Sequence, residues 1–554
     1  MAQDNYYIAD QFSLLSKLMD IHGENSFKSK SYSSAAFNIE KLPVQLSDTP
    51  AEKLSTLKGV GDSVAKKVTE ILETGKLKAL DDLVQKTPPG VLEMLNIKGI
   101  GPKKIATIWK EMEVESLGEL LYACNENRLM LYKGFGEKTQ NNVQEAIEFY
   151  FKNQGNHLFA ETESYAAMID ATLKENFPGY RFELTGEFRR QLEIIHHLEW
   201  VTTLHIPSLK KFFEANQFTV EAEDTTGITV RGTENKKLIF YTCDEEAFTA
   251  RLFETSCSDV FLDGCRKKKE WDKIGGAATE HELFTRLGMP WIPVYLREQE
   301  WVFTPATLQP VVQASDIKGI IHSHSNWSDG SYTIEEMAIA CIAAGYEYLV
   351  ISDHSKSAFY ANGLSEERIR EQHRHIDELN EKLKPFKIFK SIECDILNDG
   401  NLDYSDSILS TFDLVIASVH SNLKMSEDKA MLRLLKAIEN PYTTILGHPT
   451  GRLLLSRKGY PVNHPAIIDA CAANNVVIEL NAHPRRLDMD WRWIHDATEK
   501  NVLISIDPDA HTIEGFSDCR YGVLAAQKGG LTKENNLSSF SLRELEEFLA
   551  KKKS

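Results

Sequence analysis

The stretch GIIHSHSNWSDGS, residues 319–331, contains His322 and His324, which are separated by one residue, and Asp329 five residues after His324. In a β-strand, side chains two residues apart point to the same face, so one extended segment would direct both imidazoles to one point. The apolar run 317–321 predicts that strand, and Asp329-Gly330 predicts the turn after it. Two imidazoles and a carboxylate suit a divalent transition metal. An isolated pair of this kind can also be two exposed histidines at a strand end.

Similar residues recur downstream, each at the C-terminal end of an apolar run, with helix-length segments between the runs. A parallel α/β barrel builds its active site in this way, on the loops at one face. The recurrence therefore predicts such a barrel with enough ligands for more than one metal. The strand-end residues are His354 (350–354, VISDH), Glu393 (389–395, FKSIECD), His420 (414–420, LVIASVH), His448 (444–448, TILGH), and Asp509 with His511 (502–511, VLISIDPDAH).

With these motifs, residues 315–554 resemble a PHP (polymerase and histidinol phosphatase) domain. The resemblance implies a distorted (β/α)₇ barrel that hydrolyses phosphoesters and binds up to three divalent metals, usually manganese, zinc or iron, with magnesium possible. His483, in NAHPRRLD, stands where relatives often have Asn. The metal-ligand positions of the family all have ligand-type residues here: His322, His324, Asp329, His354, Glu393, His420, His448, Asp509 and His511.

Arginines follow two of the predicted strands and are candidates for binding the substrate phosphate. Arg452 lies in GHPTGR, and Arg485 and Arg486 lie in HPRRLD. The alternative is that they form surface salt bridges. The predicted catalytic set consists of Arg452 and Arg486 together with five of the metal-ligand residues, His322, His324, Asp329, Glu393 and Asp509.

Length and composition limit the number of domains, the location and the partners that the chain can have. A chain of 554 residues is too long for one core and predicts three to five domains. No apolar run approaches a membrane span and the N-terminus lacks the pattern of a signal peptide, so we expect no membrane partner. The 8 cysteines are scattered without a C-x-x-C pair, which favours a reducing compartment and a cytoplasmic location. The net charge of −18 argues against a simple basic nucleic-acid binder.

The first 152 residues are nearly neutral, with 19 Lys+Arg against 21 Asp+Glu, and contain a repeated G-h-G pattern between helices. Such glycines let the backbone approach a ligand, and the amides of the next helix can bind a phosphate. One G-h-G is usually a plain turn between two helices, but three with adjacent lysines predict helix-hairpin-helix elements that bind the DNA backbone without reading sequence. The predicted DNA-binding residues are Gly59, Gly61, Lys67, Gly99, Gly101, Lys103, Gly134, Gly136 and Lys138.

Four segments (23–36, 88–111, 134–147 and 287–298) resemble bacterial family X DNA polymerases, whose C-terminal domain is a PHP domain. The resemblance therefore spans nearly the whole chain. It implies gapped or 3′-end DNA as the partner. It also implies a possible Schiff base between Lys67 and an abasic sugar; the alternative is that Lys67 contacts phosphate or is solvated.

The polymerase palm departs from the family pattern at the positions that nucleotidyl transfer needs. The landmark motif is Leu184–Arg190, in which Glu187 replaces the serine that contacts triphosphate while Arg189 and Arg190 remain. The first two carboxylate positions fall on His197 and Glu199, and the third falls near Ile239. Because three carboxylates hold the two metals of this reaction, we expect a palm that folds as a sheet but is degenerate.

The sequence thus predicts a multidomain protein: all-α helix-hairpin-helix domains (1–85 and 86–155), an α+β nucleotidyltransferase-like palm and thumb (156–305), and a distorted (β/α)₇ PHP barrel (315–554). The predicted function is a DNA-binding, metal-dependent phosphodiesterase, most simply a 3′→5′ exonuclease that processes DNA ends in repair. Two alternatives stay open. The chain is an active gap-filling polymerase, or the barrel hydrolyses a small phosphomonoester as histidinol phosphatases do.

Overall fold

The computed structural model describes residues 4–125, 128–152, 154–232, 236–268, 271, 274–304, 309–455 and 458–553. The chain divides into two compact units, Met1–Gln154 and Gly155–Ser554, a division next to the predicted boundary at 155/156. The finer boundaries at 85/86 and 305–315 stay predictions. All 8 cysteines are free, and no described helix is long and apolar enough to cross a membrane.

The first unit is helical, as predicted. Local signals start and end its helices: the Asp4 carboxylate accepts from the Tyr7 amide at 2.8 Å at the start of the first helix, and Gly23 ends that helix in a left-handed conformation. Ile8, Phe12 and Leu15 face a continuous apolar core. The helices are α1 (Asn5–His22), α2 (Ser26–Glu40), α3 (Ala51–Leu54), α4 (Asp62–Thr74), α5 (Lys78–Gln85), α6 (Pro89–Glu93), α7 (Pro102–Lys110), α8 (Leu117–Asn125) and α9 (Glu137–Lys152).

The second unit begins with the α+β region that corresponds to the predicted palm and thumb. Its main sheet has five strands in the order β2-β4-β7-β6-β5, in which only β4 and β7 pair in parallel; β1 and β3 form a separate antiparallel pair. This region thus folds as a sheet, as predicted. The elements are β1 (His157–Leu158), α10 (Phe159–Asn176), β2 (Phe182–Thr185), α11 (Gly186–Arg189), β3 (Ile194–Ile195), β4 (Leu198–Thr202), α12 (Ile206–Ala215), β5 (Thr219–Glu223), β6 (Gly227–Arg231), β7 (Lys237–Thr242), α13 (Phe248–Thr255), α14 (Asp259–Arg266) and α15 (Glu280–Arg286).

The rest of the second unit is a seven-stranded parallel sheet in sequential order, β8 to β14. A parallel bridge between Ser323 and Ala510 joins its first and last members, so the sheet is a nearly closed barrel, as predicted. The elements are β8 (Gly319–Ser323), α16 (Ile334–Ala343), β9 (Tyr348–Ile351), α17 (Glu366–Lys382), β10 (Lys387–Asp395), α18 (Asp406–Leu409), β11 (Leu414–Ser418), α19 (Glu427–Ile438), β12 (Ile445–Leu446), α20 (His464–Asn474), β13 (Val477–Asn481), α21 (Ile494–Glu499), β14 (Ile504–Asp507), α22 (Cys519–Lys528) and α23 (Leu542–Lys553).

The barrel strands are buried on both faces, which is why they are apolar runs without polar alternation. Every residue of β8, β9, β11 and β13 is buried. Strand β8 departs from the regular pattern at its end: its register with β9 shifts between Ile320 and Ser323, and His322 has φ +57°. The imidazoles of His322 and His324 therefore converge through a bulge rather than through simple alternation, with ring centroids 5.3 Å apart.

A buried arginine on α19 ties together the loops that follow two barrel strands. Arg433 is 0% exposed and donates to the carbonyls of Leu397 and Ser421, both at 3.0 Å, and to that of Ile396. These loops follow β10 and β11, whose ends bear Glu393 and His420. Arg433 therefore fixes the spacing of two strand ends.

We predict that Arg433→Met lowers the free energy of unfolding by at least about 1 kcal/mol, because the buried carbonyl of Ile396 loses its donor, which costs about 1–3 kcal/mol, and the part-buried bonds to Leu397 and Ser421 are lost as well. Urea titration followed by circular dichroism measures the effect. The matched control is Arg543→Met, on α23, whose side chain is 88% exposed and pairs only with Glu547; its change is expected to stay below about 0.5 kcal/mol. Equal losses in the two variants would refute the role assigned to Arg433.

Candidate functional site

Six of the seven barrel strands place a predicted metal ligand at their C-terminal end, and these side chains converge. Three overlapping groups of potential ligand atoms result, with all atoms of a group within 4.8 Å of one another. His324 and His354 each belong to two groups, so the groups adjoin. They are His324, Asp329, His354 and His511; His322, His324 and Asp509; and His354, Glu393 and His420. His448 lies beside the third group, with its Nε2 2.9 Å from Oε1 of Glu393.

The hydrogen bonding of this cluster fits a metal centre. Buried polar atoms are normally paired, and leaving one unpaired is unfavourable. Among the described residues, five buried atoms of the predicted ligands have no hydrogen-bond partner: Nε2 of His322, Nδ1 of His324, Nδ1 of His354, Nδ1 of His448 and Oε2 of Glu393. Imidazole nitrogens and carboxylate oxygens are the donors that divalent manganese, zinc or iron accept, so the donor set fits up to three such ions.

Charge pairing within the cluster also suits cations. Burial alone would raise the pKa of Glu393, but His420, His322 and His354 around it hold that pKa well below its usual range. Burial and the neighbouring His511 lower the pKa of His324 to about 3, so this ring is neutral, the form that binds a metal. The pKa of His420 is raised to about 10, because Glu393 and Asp395 outweigh the effect of its burial.

Two further carboxylates orient the imidazoles, and the sequence analysis did not identify them. Glu479, on β13 and fully buried, accepts from Nδ1 of His322 and from the backbone N–H of His448. Asp395 accepts from Nδ1 of His420 at 3.0 Å. Holding Nδ1 in this way leaves Nε2 for a metal. The signal for Glu479 was a charged residue inside the apolar run 476–480 (VVIEL), at a strand position where an apolar residue is expected.

The loop after β8 is shaped by Asp353, the middle residue of the S-D-H motif. Its buried carboxylate accepts from the Ser325 amide at 2.8 Å, from the Ser325 hydroxyl at 2.6 Å and from the side chain of Gln372 at 2.6 Å. The carboxylate also accepts from both the amide and the hydroxyl of Ser328. Asp353 thereby positions the segment that ends in the ligand Asp329.

The cluster reaches solvent on one side. Asp329 and His511 have side chains that are 28% and 40% exposed, whereas those of His322, His324 and Glu393 are at most 1% exposed. A phosphate in solution can therefore approach along the edge formed by Asp329 and His511.

The three arginines predicted to contact phosphate have different surroundings. Arg486 lies at the cluster, with Nε 3.6 Å from Oδ2 of the ligand Asp509. Arg452 donates instead to the backbone carbonyls of Arg486 (3.0 Å) and Leu487 and to the carboxylate of Asp490 (2.7 Å). Its guanidinium is thus engaged in holding the loop around Arg486, so we assign it a positioning role in place of the phosphate contact. Arg485 pairs with Glu161 at 2.8 Å.

In the palm, the register places Glu199 of β4 directly beside Ile239 of β7, as the sequence alignment predicted. The Glu199 carboxylate accepts from the hydroxyl of Tyr241 at 2.6 Å and lies against Gly186, where a Cβ would be only 1.4 Å from Oε2. Nε2 of His197 is 3.5 Å from Oε1 of Glu199. Ile239, nearest to the predicted position of the third carboxylate, is thus an apolar residue, and the carboxylate of Glu199 is engaged with neighbours.

The other residues of the palm motif are also paired within the chain. Oε2 of Glu187 accepts from the amide of His196 at 2.8 Å, and its Oε1 lies 2.9 Å from the ring Nδ1 of the same residue. Arg189 makes a two-pronged contact with Glu280 at 3.2 and 2.7 Å. Arg190 donates to Glu298 at 2.8 Å. Both arginines of the motif thus form ion pairs with glutamates of the protein.

In the first unit, the three G-h-G turns have the same geometry. Gly59, Gly99 and Gly134 have φ of +83°, +98° and +93°, a region that favours glycine. The second glycine of each turn directly precedes a helix (α4, α7 or α9), and a Cβ there would meet nothing within 4 Å: these are Gly61, Gly101 and Gly136. The space in front of each of these helix N-termini is therefore open. Lys103 and Lys138 in the first turns are exposed, whereas Lys67 is half-buried with Nζ 5.8 Å from the centre of the Tyr32 ring.

Comparison with known families agrees with this part of the fold. Residues 3–77 match a family described as a helix-hairpin-helix domain. Residues 91–148 match a family described as a SAM-like helix-hairpin-helix tandem. Together the two matches contain all three G-h-G turns.

Comparison with curated proteins extends the likeness to the whole chain. A probable phosphatase of Thermoanaerobacter sp. (strain X514) is 26% identical over 42% of this chain and 94% of its own length. A probable phosphatase of Syntrophotalea carbinolica is 29% identical over 29% of this chain and 64% of its own length. The DNA polymerase/3′-5′ exonuclease PolX of Bacillus subtilis (strain 168) is 32% identical over 96% of this chain and 96% of its own length. This chain is therefore a member of the bacterial family X DNA polymerases that have a C-terminal PHP domain.

Proposed function

We propose that this protein is a metal-dependent phosphodiesterase that shortens DNA strands from their 3′ ends in repair, and that its palm no longer synthesises DNA. The observation that carries the proposal is the convergence of the strand-end histidines and carboxylates into three adjoining ligand groups at the mouth of the barrel. The likeness to a relative named as a polymerase and 3′-5′ exonuclease supports DNA as the substrate.

The chemistry assigned to the barrel follows from its residues. Divalent cations at the three groups would supply Lewis-acid polarisation of a phosphoryl group and a lowered pKa for water. Glu479 and Asp395 hold the rings of His322 and His420 through Nδ1, so that Nε2 of each ring would be the atom that holds a cation. Arg486, next to Asp509, would bind the phosphate and offset its charge. His322, His324, Asp329, Glu393 and Asp509 are the residues that we place closest to the reacting phosphate.

The second candidate is a phosphatase of small phosphomonoesters. It is favoured by the matches to probable phosphatases, which cover a stretch about as long as the barrel. The helix-hairpin-helix unit argues against this candidate, because such a unit suits a DNA backbone and would not contribute to binding a small molecule.

We expect the protein, supplied with Mn²⁺, to convert a 5′-labelled strand in a gapped duplex into a ladder of shorter products. The variant His322→Ala/His324→Ala should lose this activity because both rings belong to the ligand groups. Denaturing gel electrophoresis measures the products, with EDTA and with Mn²⁺, Zn²⁺, Fe²⁺ or Mg²⁺ added back.

The matched control is His464→Ala, a barrel histidine that stacks on Trp493 and belongs to none of the three groups. Its ladder should equal that of the wild type. Hydrolysis of p-nitrophenyl phosphate without any DNA shortening would favour the phosphomonoester candidate. Shortening that persists in the double variant would place the nuclease outside the barrel.

We predict no primer extension from a one-nucleotide gap with dNTPs and Mg²⁺ or Mn²⁺. The assay uses the His322→Ala/His324→Ala background, so that exonuclease activity does not remove product. Transfer requires three metal-binding carboxylates, and of the three positions predicted for them only Glu199 has one, which is already bonded to Tyr241. The Bacillus subtilis relative serves as the parallel comparison. Extension that disappears in Glu199→Gln would show that the palm is an active polymerase.

We propose that the G-h-G turns bind the DNA backbone through the helix N-termini behind Gly61, Gly101 and Gly136. Gly101→Asp keeps a good N-cap for α7 but places a carboxylate where a phosphate would lie. We expect the Kd for DNA, measured by fluorescence anisotropy, to rise at least about tenfold, since one lost hydrogen bond to a charged group is worth about 1.5 kcal/mol or more.

The control for this measurement is Gly118→Asp, the same substitution in the first turn of α8, where a Cβ also meets nothing within 4 Å. Its Kd should rise less than about threefold, through net charge alone. Equal effects of Gly101→Asp and Gly118→Asp would exclude the turn at Gly101 as a contact. The Schiff-base role of Lys67 stays a prediction.

A further inference from the structure

The loop that contains Arg486 lies between the barrel and the palm. We name residues 482–492 the Arg486 loop; it follows β13 and precedes α21. One side of it faces the metal-ligand cluster, where Nε of Arg486 is 3.6 Å from Oδ2 of Asp509. The other side faces β1, α10 and the segment before β3.

Two palm carboxylates hold this loop by polar contacts. Glu193, whose side chain is 10% exposed, accepts from the indole N–H of Trp491 at 3.0 Å and from Arg492 at 2.9 Å. Glu161, on α10, accepts from Arg485 at 2.8 Å. The contact at Glu193 is the stronger of the two, because an ion pair near the surface, such as the one at Glu161, contributes at most about 1 kcal/mol.

Apolar contacts accompany these ion pairs. Phe159, Ala160 and Gln191 of the palm line a narrow cleft opposite Pro484 and Leu487 of the Arg486 loop. Leu158 of β1 is 2% exposed and belongs to the apolar core of the barrel. The palm and the loop therefore share a packed boundary in addition to the charge pairs.

From the barrel side, Arg452 completes the support of the loop. Its guanidinium bonds to the carbonyls of Arg486 and Leu487 and to Asp490, as described above. The amide of Arg452 in turn donates to Asp488 at 3.3 Å. The backbone on both sides of the Arg486 side chain is thus fixed by partners outside the loop.

We propose that the palm of this protein is a positioning element for the nuclease site: Glu193 and Glu161 hold the Arg486 loop so that Arg486 stays at the mouth of the metal-ligand cluster. The inference rests on the proposed phosphodiesterase function and assigns to the palm a role that does not need nucleotidyl transfer. Glu193 and Glu161 touch neither the metal ligands nor the reacting phosphate, so they are positioning residues.

A different ion pair joins the palm to the barrel without touching the loop. Glu163, on α10, contacts Arg520 at 2.9 Å and Tyr521 at 3.1 Å, and both partners are on α22. Glu163 and Glu161 lie on the same turn of α10. Glu163→Ala is therefore a matched control, because it removes a palm–barrel contact of the same kind and leaves the polar contacts of the Arg486 loop in place.

The experiment compares Glu193→Ala, Glu161→Ala and Glu163→Ala in the full-length chain. Hydrogen–deuterium exchange of peptides that cover residues 482–492 measures the order of the loop without any use of activity. Cleavage rates are measured with Mn²⁺ on the gapped duplex and on bis(p-nitrophenyl) phosphate, a small phosphodiester. Glu161→Ala serves as the second variant because its side chain is 44% exposed, so we expect the variant to fold.

We expect faster exchange over residues 482–492 in Glu193→Ala, a smaller increase in Glu161→Ala, and none in Glu163→Ala. In Glu193→Ala, kcat on both substrates should fall at least about tenfold, since a misplacement of about 1 Å can reduce a rate about a hundredfold. KM for DNA should change less than about threefold, because the loop is not the main DNA contact.

Exchange that is unchanged in both Glu193→Ala and Glu161→Ala, or raised equally in Glu163→Ala, would overturn the inference. A loosened loop with wild-type kcat would also overturn it, since the loop would then have no effect on catalysis. If the wild type cleaves neither substrate, the proposed function fails, and the exchange data alone decide whether the palm orders the loop.

Discussion

One buried carboxylate connects most of the candidate metal centre. Oxygens of Glu393, which is 1% exposed, lie between 2.9 and 3.7 Å from ring nitrogens of five histidines that come from four different strand ends. A charge in such a place is unfavourable unless groups of opposite charge or hydrogen-bond donors surround it. The barrel must therefore close in one register, because a slip of one residue in any strand would turn its histidine away from Glu393. In the barrel, the same strand register therefore determines both the fold and the geometry of the metal-ligand cluster.

The sequence was sufficient to predict the parts of this arrangement that repeat locally. Ligand-type residues at the ends of apolar runs predicted a parallel barrel, and the G-h-G pattern predicted the hairpin turns of the first unit; the structure and the family matches confirm both. The roles of Glu479, Asp395 and Asp353 were not predicted. Each of them acts on a residue from another strand or loop, so no spacing along the chain reveals the contact. The left-handed backbone at His322 was missed for a related reason, since the strand there makes its bulge to meet β9.

Arg452 illustrates the limit of arguments from position alone. An arginine just beyond a strand end is well placed for a phosphate, and both Arg452 and Arg486 satisfied that condition. The structure distinguishes them by what surrounds each guanidinium: carbonyls and a carboxylate of the protein for Arg452, and the edge of the ligand cluster for Arg486. Hydrogen-bond donors that are already satisfied inside the protein gain little from a substrate. The hydrogen-bond partners of each guanidinium, and not its position along the chain, therefore determine which arginine can bind phosphate.

The fold of the palm does not depend on the residues of its polymerase motif. Its stability comes from an apolar core that includes Trp200, Phe213 and Phe240. None of the residues that the polymerase reaction needs belongs to that core. Substitutions such as those at Glu187 and Ile239 therefore leave the sheet intact, since site residues and core residues can change independently. Such a sheet is then retained because of its contacts with parts of the protein that are functional. Here that contact is with the Arg486 loop, through Glu193 and through Leu158, which belongs to the same buried apolar cluster as Leu487 of the loop. On our proposal that the palm has lost nucleotidyl transfer, this contact explains why the palm is retained, because unfolding it would release the loop and, with it, the arginine at the metal ligands.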